Sequence, residues 1–295
     1  MNQFSISQLE KFSGIKAHTI RMWEQRYNAL QPNRSLGNTR YYDNQQLRRL
    51  LNIVSLASLD YKVSELGTMT DKQLFKLVEK LINEDENKAD EYFVSQLIAA
   101  GMSYDEAYFD KIFSHCLLSY GMKDTYVKVI YPVLLRTGLM WTCDNMAPAN
   151  EHFISNLFRQ KLFTAIDSLP PPKPDADCWI LFLPENEFHE VGLLFSHYLV
   201  RLSGNKVIYL GSNIPLKSLV DVGKEISYSN LFFFLVHKGL NEEIENYLGE
   251  LSNLFSGKNI YVAGDQELFE RVEKIKNIHF LSSVEDLEQQ LLSNP

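Results

Sequence analysis

The segment 178–295 alternates short apolar runs with amphipathic stretches, and this alternation limits the possible folds more than any other feature of the chain. Five runs are candidate strands: Trp179–Leu183, Lys206–Leu210, Leu231–Val236, Asn259–Ala263 and a weaker Ile278–Leu281. Helical spacing of apolar residues fills the gaps at 190–203, 215–227, 241–255, 266–274 and 284–293. Since five β/α units with short connections form a parallel sheet covered by helices, we predict a doubly wound, flavodoxin-like α/β domain.

Two further domains precede this one. The segment Pro170–Pro174 contains four prolines and marks a stiff linker, which we place at 169–177. Residues 71–168 contain few turn signals and repeat apolar residues at helical spacing, which predicts a four-helix bundle. Residues 1–70 contain two short helical segments around Gly14, a Pro-, Gly- and Asn-containing stretch suited to a two-stranded wing, and a longer helix that Asp43 caps. This order predicts a winged helix-turn-helix head.

Composition excludes several classes of protein. Hydrophobic residues make up 45% of the 295 positions, which favours folded cores. The chain has no apolar stretch of about 18 residues, so we expect no transmembrane helix, and its first residues do not resemble a signal peptide. Its three cysteines, Cys116, Cys143 and Cys178, are too few and too far apart for a disulfide framework or a Cys-based zinc site. We therefore expect a cytoplasmic protein.

Charge is distributed unevenly along the chain. The net charge is −8, yet residues 1–70 carry nine Lys or Arg against five Asp or Glu, a local net charge of +4 that leaves −12 on the remainder. A basic head on an acidic body is expected when only one end of a protein meets phosphates.

A candidate ligand-binding segment, Glu187–Gly192, directly follows the first apolar run. Ligands of doubly wound sheets bind beyond the carboxyl ends of the strands, where this loop should lie. A neutral imidazole such as that of His189 can bind a metal through one nitrogen while a carboxylate orients the ring through the other. Glu187, two residues earlier on an extended loop, would point the same way. The alternative is an exposed loop histidine beside two acids.

This E-x-H-x-x-G segment resembles the D-x-H-x-x-G signature of corrinoid-binding proteins, in which the histidine binds cobalt from below. The resemblance implies that His189 is the lower cobalt ligand, that Glu187 orients it, and that Gly192 lets the next helix start close to the corrin.

A second segment extends this resemblance. Trp141, nine intervening residues and Glu151-His152 are similar to the W-x9-E-H pattern of cobalamin-dependent, light-responsive repressors. The resemblance implies that Trp141 and Glu151 cover the adenosyl group of adenosylcobalamin, with His152 nearby. The alternatives are that Trp141 is a core residue of the bundle and that Glu151 is an acid facing the helix dipole.

The α/β segment matches the corrinoid pattern less well near the expected nucleotide tail. The stretch Tyr209–Pro215 looks like the turn after the second strand, which adds Ser212 to the expected ligand contacts. Gly264 falls where relatives commonly show Gly-Gly, but Ala263 replaces the first glycine. Leu235-Val236 stands where a small hydroxyl residue is expected. Both replacements add bulk where the resemblance places the tail.

The N-terminal head resembles MerR-family regulators over residues 4–70. The resemblance rests on Thr19–Tyr27, Pro32-Asn33-Arg34 and Gly37–Tyr42. It implies DNA contacts from the second helix and from the wing by Thr19, Arg21, Arg26, Tyr27, Arg34, Arg40 and Tyr41. Arg21 could reach base edges or phosphates, whereas the wing residues would bind phosphates. We expect Ile20 and Trp23 to be core residues. The alternative is a small protein-interaction domain.

Together these features predict four segments: a DNA-binding head at 1–70, a helical cap at 71–168, a linker at 169–177 and a cobalamin-binding domain at 178–295. By resemblance, the chain is a non-enzymatic, oligomeric transcription repressor, a dimer or tetramer on double-stranded DNA, that senses adenosylcobalamin and light. Two alternatives stay open: a regulator whose altered pocket no longer binds cobalamin, and a corrinoid methyl-carrier module.

Overall fold

The structure is a computed structural model that describes residues 4–34, 39–57, 61–82, 86–142, 146–235, 244–264 and 275–293. Contacts between residues divide the chain into two units, Met1–Leu157 and Phe158–Pro295. Within the described ranges, each helix is either too short or too polar to span a bilayer.

The head is a winged helix-turn-helix, as predicted. Its elements are α1 (Ile6–Ser13), α2 (Ala17–Tyr27), the antiparallel strands β1 (Asn33–Arg34) and β2 (Arg40–Tyr41), α3 (Asn44–Ala57) and α4 (Val63–Leu66). Ser5 caps α1 because its hydroxyl accepts the N–H of Gln8, whose side chain in turn accepts the N–H of Ser5. Asp43 caps α3 by accepting the N–H of Gln46. The tip of the wing lies outside the described residues.

One arginine joins three parts of the head. The guanidinium of Arg49 on α3 donates from Nε to the carbonyl of Ala29 at 2.7 Å. Its Nη groups donate to the carbonyls of Gly67 and Met69 at 3.0 and 2.8 Å and to Asp71 at 2.7 Å. These bonds satisfy backbone carbonyls beyond the ends of α2 and α4, where no helix partner exists.

The helical region contains α5 (Asp71–Ile82), α6 (Glu86–Met102), α7 (Glu106–Thr125), α8 (Tyr131–Thr142) and α9 (Pro148–Asp167). A π-helical segment, Tyr126–Ile130, connects α7 to α8. At Gly121 the backbone leaves the helical conformation, with φ 70° and ψ 174°, and α7 is kinked there. Glycine is suited to these angles because it has no Cβ atom. The predicted bundle therefore consists of α6 to α9, preceded by the shorter α5.

A polar network joins the head to the bundle. Asn52 on α3 accepts a hydrogen bond from Gln96 on α6, and Gln96 accepts one from the hydroxyl of Tyr108 on α7. Arg48 lies 2.5 Å from Asp105 and also stacks over the ring of Tyr108. Since buried amides need partners in fixed directions, this network specifies one docking geometry for α3 on α6.

The second unit contains the predicted doubly wound sheet. Its strands are β3 (Cys178–Pro184), β4 (Lys206–Ile214), β5 (Asn230–Leu235), β6 (Asn259–Gly264) and β7 (Ile278–Leu281), all paired in parallel in the order β4-β3-β5-β6-β7. The helices are α10 (Glu190–Leu202), α11 (Leu216–Glu225), α12 (Ile244–Leu254) and α13 (Val284–Ser293). The helix predicted at 266–274 lies outside the described residues. This strand order is flavodoxin-like and places the switch point between β3 and β5.

The second strand differs from the prediction. Tyr209–Ile214 continues β4, whereas the sequence pattern placed a turn there, so the turn begins only at Pro215. Pairing with β3 is irregular along this extension, since Phe182 pairs with Gly211 and Pro184 with Ile214. Gly211 and Asn213 have φ of 82° and 60°. Such left-handed residues produce bulges, which resemble turn residues in a sequence.

The Arg49 bonds generate a stability prediction. Arg49→Lys keeps the charge but cannot donate to four acceptors in fixed directions. We expect the head to lose about 1–3 kcal/mol of folding free energy. Thermal or urea unfolding followed by circular dichroism measures this loss. Arg26→Lys, on the exposed surface of α2, is the control, and equal stability of the two variants would contradict the assignment.

Candidate functional site

The loop between β3 and α10 is held against the carboxyl end of β4. Asn186 has φ 64°, a left-handed conformation that asparagine tolerates. Its N–H donates to the side-chain oxygen of Asn213 at 3.0 Å, and the N–H of Asn213 donates to the carbonyl of Glu187 at 3.3 Å. Two asparagines with left-handed backbone angles thus join the loop to β4, through one hydrogen bond in each direction.

A buried carboxylate in this loop orients His189. Glu187 is fully buried, and its Oε1 accepts the N–H groups of Phe188 and His189 at 2.9 and 3.0 Å. The same oxygen lies 2.6 Å from Nδ1 of His189, whose side chain is 59% exposed. A carboxylate oxygen at this position accepts from the tautomer of His189 that carries its proton on Nδ1, and in that tautomer Nε2 keeps the lone pair that can bind a metal.

The residues of this loop fit the corrinoid expected from the sequence. His189 would hold its cobalt through one imidazole nitrogen, and Glu187 would hold the ring of His189 through the other. The imidazole of His189 is exposed, and the hydrogen bond between its Nδ1 and Glu187 orients the ring. Metal-binding histidines usually have such a bond at the nitrogen that does not bind the metal. The predicted pairing of Glu187 with His189 is therefore present in the structure.

A second cluster extends from the neighbouring residue, Glu190. Its Oε1 accepts the hydroxyl of Tyr209 on β4 at 2.9 Å, and its Oε2 lies 3.5 Å from Nε of Arg159 on α9. The ring of His197 stacks on Tyr209 at 5.2 Å. Burial, and secondarily Arg201, lowers the pKa of His197 to about 4, so its ring is neutral near pH 7. Burial, then Glu190, raises the pKa of Tyr209, which keeps its hydroxyl a donor.

Sequence analysis missed this cluster, because Glu190 occupies a variable position of the E-x-H-x-x-G segment. One signal was present in the sequence: Tyr209 lies on the predicted second strand and carries a hydroxyl group. A buried tyrosine hydroxyl generally has a partner.

The remaining corrinoid candidates lie around the carboxyl ends of the strands. Ser212 is half-buried near the end of β4, and Gly264 ends β6 in register with Leu235 of β5. Ala263 and Leu235 are buried, and Val236 lies outside the described residues. A Cβ atom on Gly192 would come within 3.2 Å of the Phe234 ring. The missing side chain of Gly192 thus makes room for Phe234.

The cap residues lie in the first unit. Trp141, near the end of α8, is 51% exposed, so it is not a core residue of the bundle. Glu151 lies in the first turn of α9, where its charge also favours the helix dipole. Its Oε2 is 2.9 Å from Nδ1 of the exposed His152.

The recognition helix α2 presents a polar, basic surface. Arg21, Gln25 and Arg26 are exposed, and Thr19 and Tyr27 are half-buried. Ile20 is fully buried and Trp23 is packed against the same core, as predicted.

The wing is attached to α2 through Glu24. Its two carboxylate oxygens accept hydrogen bonds from Nε of Arg40 at 3.0 Å and from the hydroxyl of Tyr42 at 2.9 Å. Arg34 on β1 is exposed and Tyr41 on β2 is half-buried. The sequence predicted that Arg40 contacts phosphate. In the structure Arg40 and Glu24 form one ion pair, so Arg40 also has a role in positioning the wing.

Comparison with known proteins places these two sites in context. Residues 4–73 match the family described as MerR HTH family regulatory protein. The chain is 24% identical over 220 residues to the HTH-type transcriptional repressor CarH of Myxococcus xanthus, covering 73% of each protein. It is 25% identical over 217 residues to the repressor CarA of the same organism, covering 72% of this chain and 70% of CarA.

The fold also matches a solved corrinoid protein. The monomethylamine corrinoid protein of Methanosarcina barkeri superimposes with a TM-score of 0.55 at 13% identity, over 69% of this chain and 99% of that protein. The chain therefore has a MerR-type helix-turn-helix domain at its N-terminus, and over nearly three quarters of its length it is similar to two transcriptional repressors.

Proposed function

We propose that this protein is a non-enzymatic transcription repressor that binds cobalamin with His189 as the lower cobalt ligand. The observation that carries the proposal is the buried Glu187 carboxylate, which orients the exposed imidazole of His189 at the switch point of the sheet. The proposal is supported by the MerR-type head on the same chain and by the repressor names of CarH and CarA. The proposed organisation is the one predicted from the sequence: a DNA-binding head at 1–70, a helical cap at 71–168, a linker at 169–177 and a cobalamin-binding domain at 178–295.

The finer proposal is that the ligand is adenosylcobalamin and that light is the signal. Adenosylcobalamin supplies a cobalt–carbon bond that light cleaves. Trp141 offers a large, exposed apolar face for the adenosyl group, and Glu151 offers an acceptor, with His152 close to it. We also propose that the ligand contacts Ser212, Gly192 and Gly264. Loss of the adenosyl group, against which Trp141 would pack, would shift the equilibrium between two states of the assembly.

DNA binding is proposed for Thr19, Arg21, Arg26 and Tyr27 on α2 and for Arg34, Arg40 and Tyr41 on the wing. In this proposal the ligand-bound protein is a dimer or tetramer in the cytoplasm. Several heads then bind repeated sites on double-stranded DNA, and avidity gives the tight binding that repression requires.

The ligand pair generates the first functional prediction. We expect protein incubated with adenosylcobalamin in the dark and then desalted to remain coloured. His189→Ala removes the axial nitrogen and should abolish retention or shift the visible spectrum. Glu187→Gln keeps the shape but loses the charge that holds Nδ1–H, so we expect affinity to fall about 10- to 100-fold. Visible absorption spectroscopy measures both effects.

Phe188→Ala serves as the control for this loop, because Phe188 is exposed beside His189. A colourless wild-type protein, or an unchanged spectrum in His189→Ala, would sink the proposed ligand role and favour a regulator without cobalamin.

DNA binding by α2 generates the second functional prediction. Arg21→Ala should weaken binding to a random-sequence duplex and lower the slope of log affinity against log salt by about 1, because one phosphate contact is lost. Gln25→Ala, on the same exposed surface, should leave that slope unchanged. Fluorescence anisotropy across a salt series makes the measurement, and equal slopes for the two variants would argue against a phosphate contact by Arg21.

The proposed light response generates the third functional prediction. In the dark with adenosylcobalamin, we expect a larger assembly and duplex affinity at least about tenfold higher than after green illumination. Trp141→Ala should reduce this difference, whereas Leu139→Ala, an exposed apolar neighbour on α8, should not. Light scattering and duplex binding report the two quantities. Equal mass and affinity before and after illumination would rule out a light switch.

A further inference from the structure

An aromatic ring fills the space between α10 and the carboxyl end of β5. A Cβ atom built on Gly192, in the first turn of α10, would lie 3.2, 3.4 and 3.5 Å from three ring atoms of Phe234. The shortest of these distances is tighter than ordinary van der Waals contact and the other two lie at its lower limit, so the Phe234 ring already packs against the backbone of α10. Gly192 lies three residues after His189 along the chain.

Other aromatic rings pack deeper in the described part of this face of the sheet. Phe234 packs edge-on against Phe232 at 5.4 Å, and Trp179 stacks on Tyr261 at 4.9 Å. Phe232, Trp179 and Tyr261 are almost completely buried, while Phe234 is half-buried and forms the outermost ring. Ala263, the register partner of Phe234, is buried as well. Among the described rings of this face, Phe234 is therefore the one placed against the first turn of α10.

The chemistry of cobalamin makes this position important. Its nucleotide tail hangs from the lower face of the corrin, the same face that an imidazole from the protein would bind. A protein that binds cobalt through His189 must therefore place the tail on its own side, beside the ligand loop. In a sheet of this order the crevice near that loop lies between β3 and β5. Phe234 is at the carboxyl end of β5 and closes that crevice against α10.

We propose that Phe234 excludes the nucleotide tail, so that this protein binds corrinoids through the corrin ring and His189 without burying a tail. This inference rests on the proposed function and names its ligand class more closely. Binding of His189 displaces the benzimidazole base that occupies the lower face of cobalt in cobalamin. Cobinamide, a corrinoid that lacks the nucleotide, has no such base to displace, so the protein should bind it at least as tightly as cobalamin. Phe234 then determines specificity by occupying space.

The test compares adenosylcobalamin with adenosylcobinamide on the full-length protein in the dark, by calorimetry and visible titration. For the wild type we expect adenosylcobinamide to bind at least as tightly as adenosylcobalamin, because only adenosylcobalamin must break a cobalt–benzimidazole bond. Phe234→Ala removes the ring and should tighten adenosylcobalamin by about tenfold while leaving adenosylcobinamide unchanged. Phe232→Leu is the matched control, because it alters a deeper ring on the same strand and face and should leave the ratio of the two constants unchanged.

The outcomes separate the inference from the proposed function. Wild-type protein that binds adenosylcobalamin at least about tenfold tighter than adenosylcobinamide would overturn the inference and leave the proposed function intact. Binding of neither corrinoid would overturn both. If Phe234→Ala does not fold, as judged by circular dichroism, Phe234→Leu and the wild-type ratio decide the question, since the inference requires the wild type to bind adenosylcobinamide at least as tightly as adenosylcobalamin.

Discussion

The carboxylate of Glu187 is the group around which the ligand loop is built. A fully buried charge is costly unless hydrogen bonds replace its hydration, and here one oxygen accepts two backbone N–H groups as well as Nδ1 of His189. The two backbone bonds do not depend on His189, so the carboxylate remains partly satisfied whatever the ring does. This explains how an exposed histidine can keep a fixed direction: its partner is held by the loop itself. The left-handed turns at Asn186 and Asn213 fix the loop in turn.

In the head, too, one acidic side chain accepts several hydrogen bonds and positions another element. Glu24 on α2 holds Arg40 and Tyr42 and so fixes the wing relative to the recognition helix. Burial, followed by Glu24, raises the pKa of Tyr42, which keeps the hydroxyl protonated and able to donate. Since phosphate contacts by a wing depend on its angle to the helix, this pair bears on DNA binding even where Arg40 itself does not reach a phosphate.

Much of the fold could be predicted from the sequence because its signals are local. The caps at Ser5 and Asp43 use side chains that bond their own neighbours, and the five strands are separated by clear helical spacing. The end of β4 was misplaced for an equally physical reason: Gly211 and Asn213 adopt left-handed angles within a strand, and a sequence does not distinguish a bulge from a turn. The pairs Glu24–Arg40 and Glu190–Tyr209 depend on tertiary packing between residues far apart in the chain.

The role of Phe234 follows from packing in the structure and could not be found by comparing motifs. In the sequence it is one of three consecutive phenylalanines in an apolar strand, and nothing marks it as different from Phe232 or Phe233. Alternation in the strand sends Phe233 to the face covered by α11 and α12, and Phe234 to the face covered by α10. Only its place at the end of the strand makes it the outermost ring, next to a helix whose first turn contains a glycine. Gly192 therefore has two explanations, a corrin that approaches α10 or a ring that already does, and the contact in this structure is with the ring.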